Sequence, residues 1–454
     1  MKLYRYRTIK NALRELEDGT FYFAATEELN DPIEGYLKIF WRGDKAAWEG
    51  LLKNFVCSLF YTLQTYLLMS RNFEGQENFL RDFRNRLVLM NLNQFKDSPL
   101  NKIFCELGEN FWAEEIVREV VNFYGKADIK SCDRETEFIL RTVVDAACRL
   151  CVQKCKSLGL IRKDFTEDFF DVAYEISFAD LKSFGDAERK QEICAVENLN
   201  LDAMESGLLA LKFNQRNVSD FNYELKQQIL RLKIFFPRMY TDRLKEIMYP
   251  NGYIVCFSAT ATNSAMWGNY AQNHRGVCFI YETENFNGRD VINIGTKPLE
   301  VSAIKYAEQM IERNFFDTLR HLNFLNAADW LTGAGDVKSC KLSEEETAGE
   351  YDEIYREKFY RKTLDWQNER EYRIFLPDKF YRYGDKFSRA LRYDLNALRG
   401  IIFGLRTTLD DKFELIQKLV RLKKSLRDFE FYQAEFDDET QKISVREKFL
   451  LVKL

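Results

Sequence analysis

Histidine is almost missing from this chain: 454 residues include only His274 and His321. That scarcity excludes a multi-histidine zinc centre and leaves a serine or cysteine nucleophile few bases to accept its proton. Six prolines and no glycine/serine tract argue against long flexible linkers, and there is no internal repeat or low-complexity segment. Long apolar runs are lacking too. The longest uncharged stretch worth testing as a span, NFVCSLFYTLQTYLLMS at 54–70, has 17 residues with Asn, Ser, Thr and Gln among them. A bilayer asks for about 20 apolar residues, so this stretch reads as a buried helix. The opening MKLYRYRTIKNALREL is charged throughout and predicts no secretory leader. No charge sign dominates: 67 basic residues face 71 acidic ones. Without a global field towards nucleic acid or membrane, any such contact has to be local.

What is present is a chain rich in core-forming material. With 46% hydrophobic residues it can fill two or three compact units. Ten cysteines at irregular spacing, with no leader, predict reduced thiols and a cytoplasmic setting. Cys148, Cys151 and Cys155 fall on one face of a strongly helical segment, RETEFILRTVVDAACRLCVQKCKSL. A metal cluster wants thiolates on a loop with a fourth ligand nearby, so these three are expected to pack as small apolar groups.

Residues 2–40 read as strand, helix, strand and turn: KLYRY, TIKNALRELEDG, TFYFA and NDPIEG. From 44 to 248 the pattern becomes successive amphipathic helices, including KAAWEGLLKNFVCSLFYTLQTYLL, QENFLRDFRNRLVLMNLNQF at 76–95 and VSDFNYELKQQILRLKIFFPRMYTDRLKEIM. Strand signals return at GYIVCF and GVCFIYE. The prediction is an α+β protein: a mixed sheet core built from 1–43 and 249–454, interrupted at 44–248 by a large all-α insertion that recognises a target and adds no catalytic group. Further on, a helix is expected near 306–330 and another over EYDEIYREKFYRKT. The Gly-x-Gly of TGAGDVKSCKLSEEETAGE lacks the flanking strand and helix of a dinucleotide fingerprint. The tail reads as strand GIIFG, helix TLDDKFELIQKLVRLKKSL, and strands FEFYQAEF and KISVREKFLL.

Two stretches look like a site. In WQNEREYRIF, at 366–375, Glu369, Glu371 and Arg373 alternate, and a strand with its period of two would point all three to one face. In GYIVCFSATATNSAMWGNYAQNHRGVCFIYET, at 252–283, a buried strand runs into a polar Ser/Thr loop and a short helix starting near Asn263 or Ser264. That helix would set Trp267, Tyr270 and Ala271 on one face, and a loop with His274 follows, ended by Gly276. Polar loops at the carboxyl end of a strand are where ligand groups gather. A third stretch, PDKFYRYGDKFSRALRYD at 377–394, interleaves Lys379, Arg382, Lys386, Arg389 and Arg392 with Phe380, Tyr381, Tyr383 and Phe387. Such a mixture suits phosphate contact with base stacking.

These blocks carry a resemblance. LYRYRTIKNALRELEDGTFYFAATEELNDPIEG, CFSATATNSAMWGNYAQNHRGVCFIYE, KTLDWQNEREYRIF and IIFGLR, in that order, look like the bacterial family catalogued as domain of unknown function 2971. That family name supplies no activity. A more distant resemblance is to ADP-ribosyltransferase toxins that modify DNA, which open with an aromatic strand, an apolar helix and glycine. This chain has Arg5 where that group has histidine. Glu369 and Glu371 are similar to the Glu-x-Glu of the arginine-modifying branch, and Ser258 with Thr260 to its Ser-x-Thr.

The resemblance implies an ADP-ribosyltransferase-like sheet core that cleaves NAD at the nicotinamide glycosidic bond and modifies a macromolecular acceptor, nucleic acid or protein, as a toxin or anti-phage defence effector. Glu371 would hold the ribose and stabilise its positive charge, and Glu369 would orient the acceptor. Arg5 and Tyr6 would meet ribose or phosphate, Ser258 and Thr260 the nicotinamide side, and Trp267, Tyr270 and His274 would contact the ligand, with Arg373 holding the carboxylates ionised. Two alternatives stay open. Asp31, Glu34, Glu369 and Glu371 could gather on Mg²⁺ as a nuclease or phosphohydrolase, or the protein could be a non-catalytic recognition module.

Overall fold

The computed structural model describes residues 1–70, 87–92, 98–126, 128–165, 221–320, 344–423, 426 and 428–447. His321 and most of the Gly-x-Gly loop lie outside them. The chain divides into two compact units, one from Met1–Leu37, Pro250–Ile311 and Glu353–Leu454, the other from Lys38–Tyr249 and Glu312–Asp352. Numbered along the chain, the strands begin with β1 (Lys2–Arg7), β2 (Thr20–Tyr22), β3 (Lys38–Trp41), β4 (Ser131–Cys132), β5 (Gly252–Ser258), β6 (Val277–Glu282), β7 (Glu284–Phe286) and β8 (Arg289–Ile294). They continue with β9 (Lys297–Ala303), β10 (Lys305–Ala307), β11 (Glu312–Asn314), β12 (Arg361–Thr363), β13 (Glu371–Pro377), β14 (Ala390–Arg392), β15 (Leu398–Phe403), β16 (Glu430–Asp437) and β17 (Lys442–Glu447).

The unit that begins at Lys38 is mainly helical, with helices Lys45–Ser70, Pro99–Ala113, Glu115–Tyr124, Asp133–Ser157 and Phe221–Met248. It is not all-α. A small sheet in the order β11–β3–β4 belongs to it, and Trp41 of β3 is fully buried against the Phe315 ring with its indole N–H donated to Asp133 at 3.0 Å. Of the helix expected over 76–95, only 87–92 are described, and they are not helical. Side chains of the neighbouring helix take the backbone donors there: the Met90 N–H goes to Ser58 Oγ at 2.8 Å and the Leu92 N–H to Asn54 Oδ1 at 3.2 Å. Cys148, Cys151 and Cys155 are buried, and burial pushes the Cys148 and Cys155 thiols up to about 12, as suits inert packing groups. The helix expected from 306 starts only at Phe315, because Lys305–Ala307 pairs with Arg361–Thr363 and Glu312–Asn314 with Lys38–Phe40.

The other unit is built on a ten-stranded mixed sheet in the order β17–β16–β15–β6–β1–β5–β13–β9–β8–β7. Alternation sends Leu3, Phe257, Phe279, Tyr281 and Ile374 into a core on one face, shared with Phe21. Tyr6, Cys278 and Ile280 go into a core on the other, shared with Met266 and Trp267. The helix Ile9–Asp18 after β1 is capped at its start by the Thr8 hydroxyl, which accepts the Asn11 N–H, and ends at Gly19 with φ +62°. Close approach of backbones fixes one position: a Cβ on Gly276 would lie 2.1 Å from the Arg7 carbonyl oxygen.

One irregularity in this sheet positions the site. On one side β1 pairs with β6 residue by residue, from Lys2↔Glu282 to Arg7↔Val277; on the other it meets β5 only at Tyr4↔Ser258. Beyond that pair the strands part, and β5 instead exchanges backbone hydrogen bonds with Ala24 at Ile254. The sheet is therefore split beside Arg5–Arg7.

Candidate functional site

A cavity of about 990 Å³ opens at this split, lined by Tyr4–Arg7 of β1 and Ile254–Ser258 of β5. Its two ends carry opposite charge.

The acidic end is formed by Glu34, Glu369 and Glu371, all buried. Glu371 and Arg373 share a face of β13 as alternation requires, but Glu369 is not on the strand. It closes a 3-10 turn, Leu364–Glu369, and Arg370 with φ +45° leads into β13. The neighbouring loop imposes that turn: Ser258 Oγ donates to the Glu369 carbonyl at 2.7 Å, the Ala259 N–H to the Arg370 carbonyl at 2.9 Å, and Asn263 Nδ2 to the Asn368 carbonyl at 2.6 Å. The carboxylates still meet, through Lys362, whose Nζ lies 2.8 Å from Glu369 Oε2, 3.2 Å from Glu371 Oε2 and 3.7 Å from Glu34 Oε2. Arg373 Nε donates to Glu371 Oε1 at 2.6 Å, and Arg373 Nη2 pairs with Glu34 Oε1. The Tyr270 hydroxyl donates to Glu369 Oε1 at 2.8 Å, and the Tyr306 hydroxyl accepts the Glu371 N–H at 2.9 Å.

Three carboxylates thus stand against two cations. Burial raises the Glu371 pKa, and Glu369 adds to this against the pull of Lys362. Burial works against the Lys362 ammonium, but the charges of Glu371 and Glu369 outweigh it and the Lys362 pKa is raised. Burial, and after it the charge of Glu369, raises the Tyr270 phenol. Among the described residues no three His, Cys, Asp or Glu side chains are placed to hold a metal ion. Lys362 stands where a hard cation would sit, and Asp31 caps the Ile33 N–H at 2.9 Å.

The basic end is made by Arg5 and Arg7 around Glu15. Arg7 Nε donates to Glu15 Oε2 at 2.9 Å, the Tyr281 hydroxyl donates to Glu15 Oε1 at 2.5 Å, and Arg5 Nε stands 3.4 Å from Glu15 Oε2. The Arg5 guanidinium is 3% exposed and packs over Phe21 and Phe257 at 4.8 and 5.4 Å, while its Nε and Nη1 make no hydrogen bond. Asn11, Arg14 and Asp18 also line the cavity, as does Lys386, which pairs with Glu28 at 2.8 Å. Arg5 faces the Phe21 core, opposite to Glu371, so only the split between β1 and β5 brings the two ends into one cavity.

Of the residues expected at a site, Arg5, Tyr6, Ser258, Tyr270, Glu369 and Glu371 line this cavity, and Thr260, Trp267, His274 and Arg373 do not. Trp267 is wholly buried, its indole N–H given to the Ala261 carbonyl at 2.8 Å and its ring met edge-on by Tyr6. It is a core residue. Tyr6 spends its hydroxyl on the Thr260 carbonyl, and the Thr260 hydroxyl pairs with that of Thr262. His274, at φ +67°, follows Gln272 and Asn273 through a left-handed run; burial and then Arg406 lower its pKa. The His274 N–H donates to the Trp267 carbonyl at 3.1 Å.

Sequence reasoning missed Lys362, Glu15 and Arg7. Lys362 fell in an expected helix, EYDEIYREKFYRKT, that ends at Glu357; Arg361–Thr363 is instead β12, parallel to β10 with Tyr306 beside Lys362. The basic aromatic segment is partly withdrawn from solvent. Arg389 is buried over Tyr253 and, with Lys386, pairs with Glu28, while Phe380 and Phe387 are 76% and 89% exposed. The buried Asp378 carboxylate holds this loop by accepting the N–H groups of Arg382 and Tyr383 at 2.6 and 3.1 Å.

A family model described as Protein of unknown function (DUF2971) matches residues 266–374. That span opens in the Trp267 helix and closes in β13, just past Arg373. No curated protein and no solved structure matches the chain. Among the described residues no helix is long and apolar enough to cross a membrane.

Proposed function

We propose that this protein is an ADP-ribosyltransferase-like enzyme that cleaves NAD at the nicotinamide glycosidic bond and passes ADP-ribose to a macromolecular acceptor, nucleic acid or protein. One observation carries the reading: a single cavity with a guanidinium end, where Arg5 has unused buried donors, and a carboxylate end at Glu369 and Glu371. A dinucleotide has the matching asymmetry, an anionic pyrophosphate and a ribose that becomes positively charged as nicotinamide leaves. Each carboxylate has about four acceptor sites. Glu371 uses one oxygen for Arg373 and the other for Lys362, so it keeps capacity for a ribose hydroxyl. Held close to that sugar in a water-poor site, its charge would favour the oxocarbenium-like transition state over the ground state. Glu369, oriented by Tyr270, is the group set to align the acceptor nucleophile.

The test is incubation of purified protein with NAD and cellular macromolecules, followed by mass spectrometry for nicotinamide, free ADP-ribose and a modified acceptor. Intact NAD under all conditions would refute the proposal. The complete ion pairing of Glu371 favours a second reading, a non-catalytic recognition module. In that case Glu371→Gln would alter stability and leave every binding activity in place.

A further inference from the structure

The acidic end already contains a cation. The Lys362 ammonium is 4% exposed, touches all three carboxylates, and belongs to the cavity wall. Among the described residues Lys362 is the cation that bridges Glu369 and Glu371, since Arg373 reaches Glu371 and Glu34. It therefore sets the carboxylate spacing, and it also opposes the approach of any further positive charge. At about 3 Å an ammonium in a poorly screened site repels a developing cation strongly. The same Nζ lies 4.5 Å from the centroid of the half-buried Trp366 ring, so it makes a cation–π contact alongside the carboxylates. A lysine on its flexible stem can give up the carboxylates while keeping the ring.

We infer that Lys362 is a displaceable internal counter-ion, holding Glu369 and Glu371 in the resting site and withdrawing when a ligand brings an organic cation to them. The inference rests on the proposed reading of the carboxylate pair as the seat of positive charge. It adds a regulation of that site: the cavity is closed against cationic ligands until Lys362 moves. The charged and titratable groups facing Lys362 are Glu34, Glu369 and Glu371, with Arg373, Tyr270, Tyr306 and the buried Cys256 thiol around them and Asp31 behind Arg373.

The test uses 1-methylnicotinamide, a pyridinium cation without phosphates, so that it does not depend on NAD cleavage. Calorimetry on Lys362→Met should give about tenfold tighter binding than the parent at pH 8.5. Lys362→Arg, which keeps the charge, should bind as the parent does. The unaltered protein supplies a readout that survives misfolding of the variants: acylation of Lys362, followed by peptide mass mapping, should speed up when 1-methylnicotinamide is bound. Parental affinity in folded Lys362→Met, or slower acylation with ligand present, overturns the inference. If the cation behaves as stated but NAD is never consumed, the counter-ion stands and the transferase proposal fails. If NAD is consumed and Lys362→Met binds the cation like the parent, the reverse holds.

Discussion

Replacing Glu371 by Gln removes one charge and almost no volume, which makes it the sharpest probe of the acidic end. Two costs are expected, and they separate. For stability, orphaning a buried ion partner costs roughly 3–5 kcal/mol. Here Arg373 keeps Glu34 and Lys362 keeps Glu369, so the loss should be smaller, about 1–2 kcal/mol on the same scale. Its pH dependence has a definite sign. The folded pKa of Glu371 is raised above the ordinary 4.5, so the stability it contributes is fully present below that value and is lost as pH rises through the raised one. The deficit of Glu371→Gln in thermal unfolding should therefore narrow as pH increases. For catalysis, an electrostatic stabiliser of the transition state is worth about 100-fold or more, roughly 3 kcal/mol, and its loss falls on kcat far more than on NAD binding. The parent should also show kcat rising with pH along a limb above the ordinary carboxylate range, absent in the variant. NAD turnover followed by chromatography, on protein whose folding has been checked by circular dichroism, decides the matter. Near-parental turnover in folded Glu371→Gln would refute the assignment and leave the carboxylate pair a structural feature.

Glu369→Gln should spare slow NAD hydrolysis while transfer to an acceptor falls at least tenfold, a split read from the ratio of free to transferred ADP-ribose; equal losses would contradict the division of roles. Reversing the exposed Arg382 and Arg392 to Glu should weaken any nucleic-acid binding and flatten its salt dependence, and an unchanged salt slope would dismiss that surface. Gly276→Ala should lower the unfolding free energy by about 1–3 kcal/mol, because its Cβ meets the Arg7 carbonyl at 2.1 Å; an unshifted melting temperature would show that β1 and β6 can separate without cost.

Local pattern was enough for much of the large sheet. KLYRY, GYIVCF, GVCFIYE and GIIFG are dense in β-branched and aromatic residues, and each is a strand of it; Thr8 and Gly19 mark the ends of the first helix by capping chemistry that acts over three or four residues. The same locality explains the errors. EYDEIYREKFYRKT has helical composition, but Arg361–Thr363 gains a ladder with Lys305–Ala307, a partner more than fifty residues away that no window of the sequence contains. Glu369 to Arg373 reads as part of one strand, yet three side-chain and backbone bonds from Ser258, Ala259 and Asn263 hold Glu369 in the turn before it.

The sequence by itself determined the mixed α+β character, the buried cysteine helix and the concentration of carboxylates at 369 and 371, because composition and periodicity are properties of neighbouring residues. Only the tertiary structure decided which residues share a cavity. Alternation puts Arg5 and Glu371 on opposite faces, and the parting of β1 from β5 after Tyr4↔Ser258 joins them. Lys362, Glu34 and Glu371 come from three separate segments, and what draws them together is the need of each buried charge for an opposite one, a demand felt only once the chain has folded.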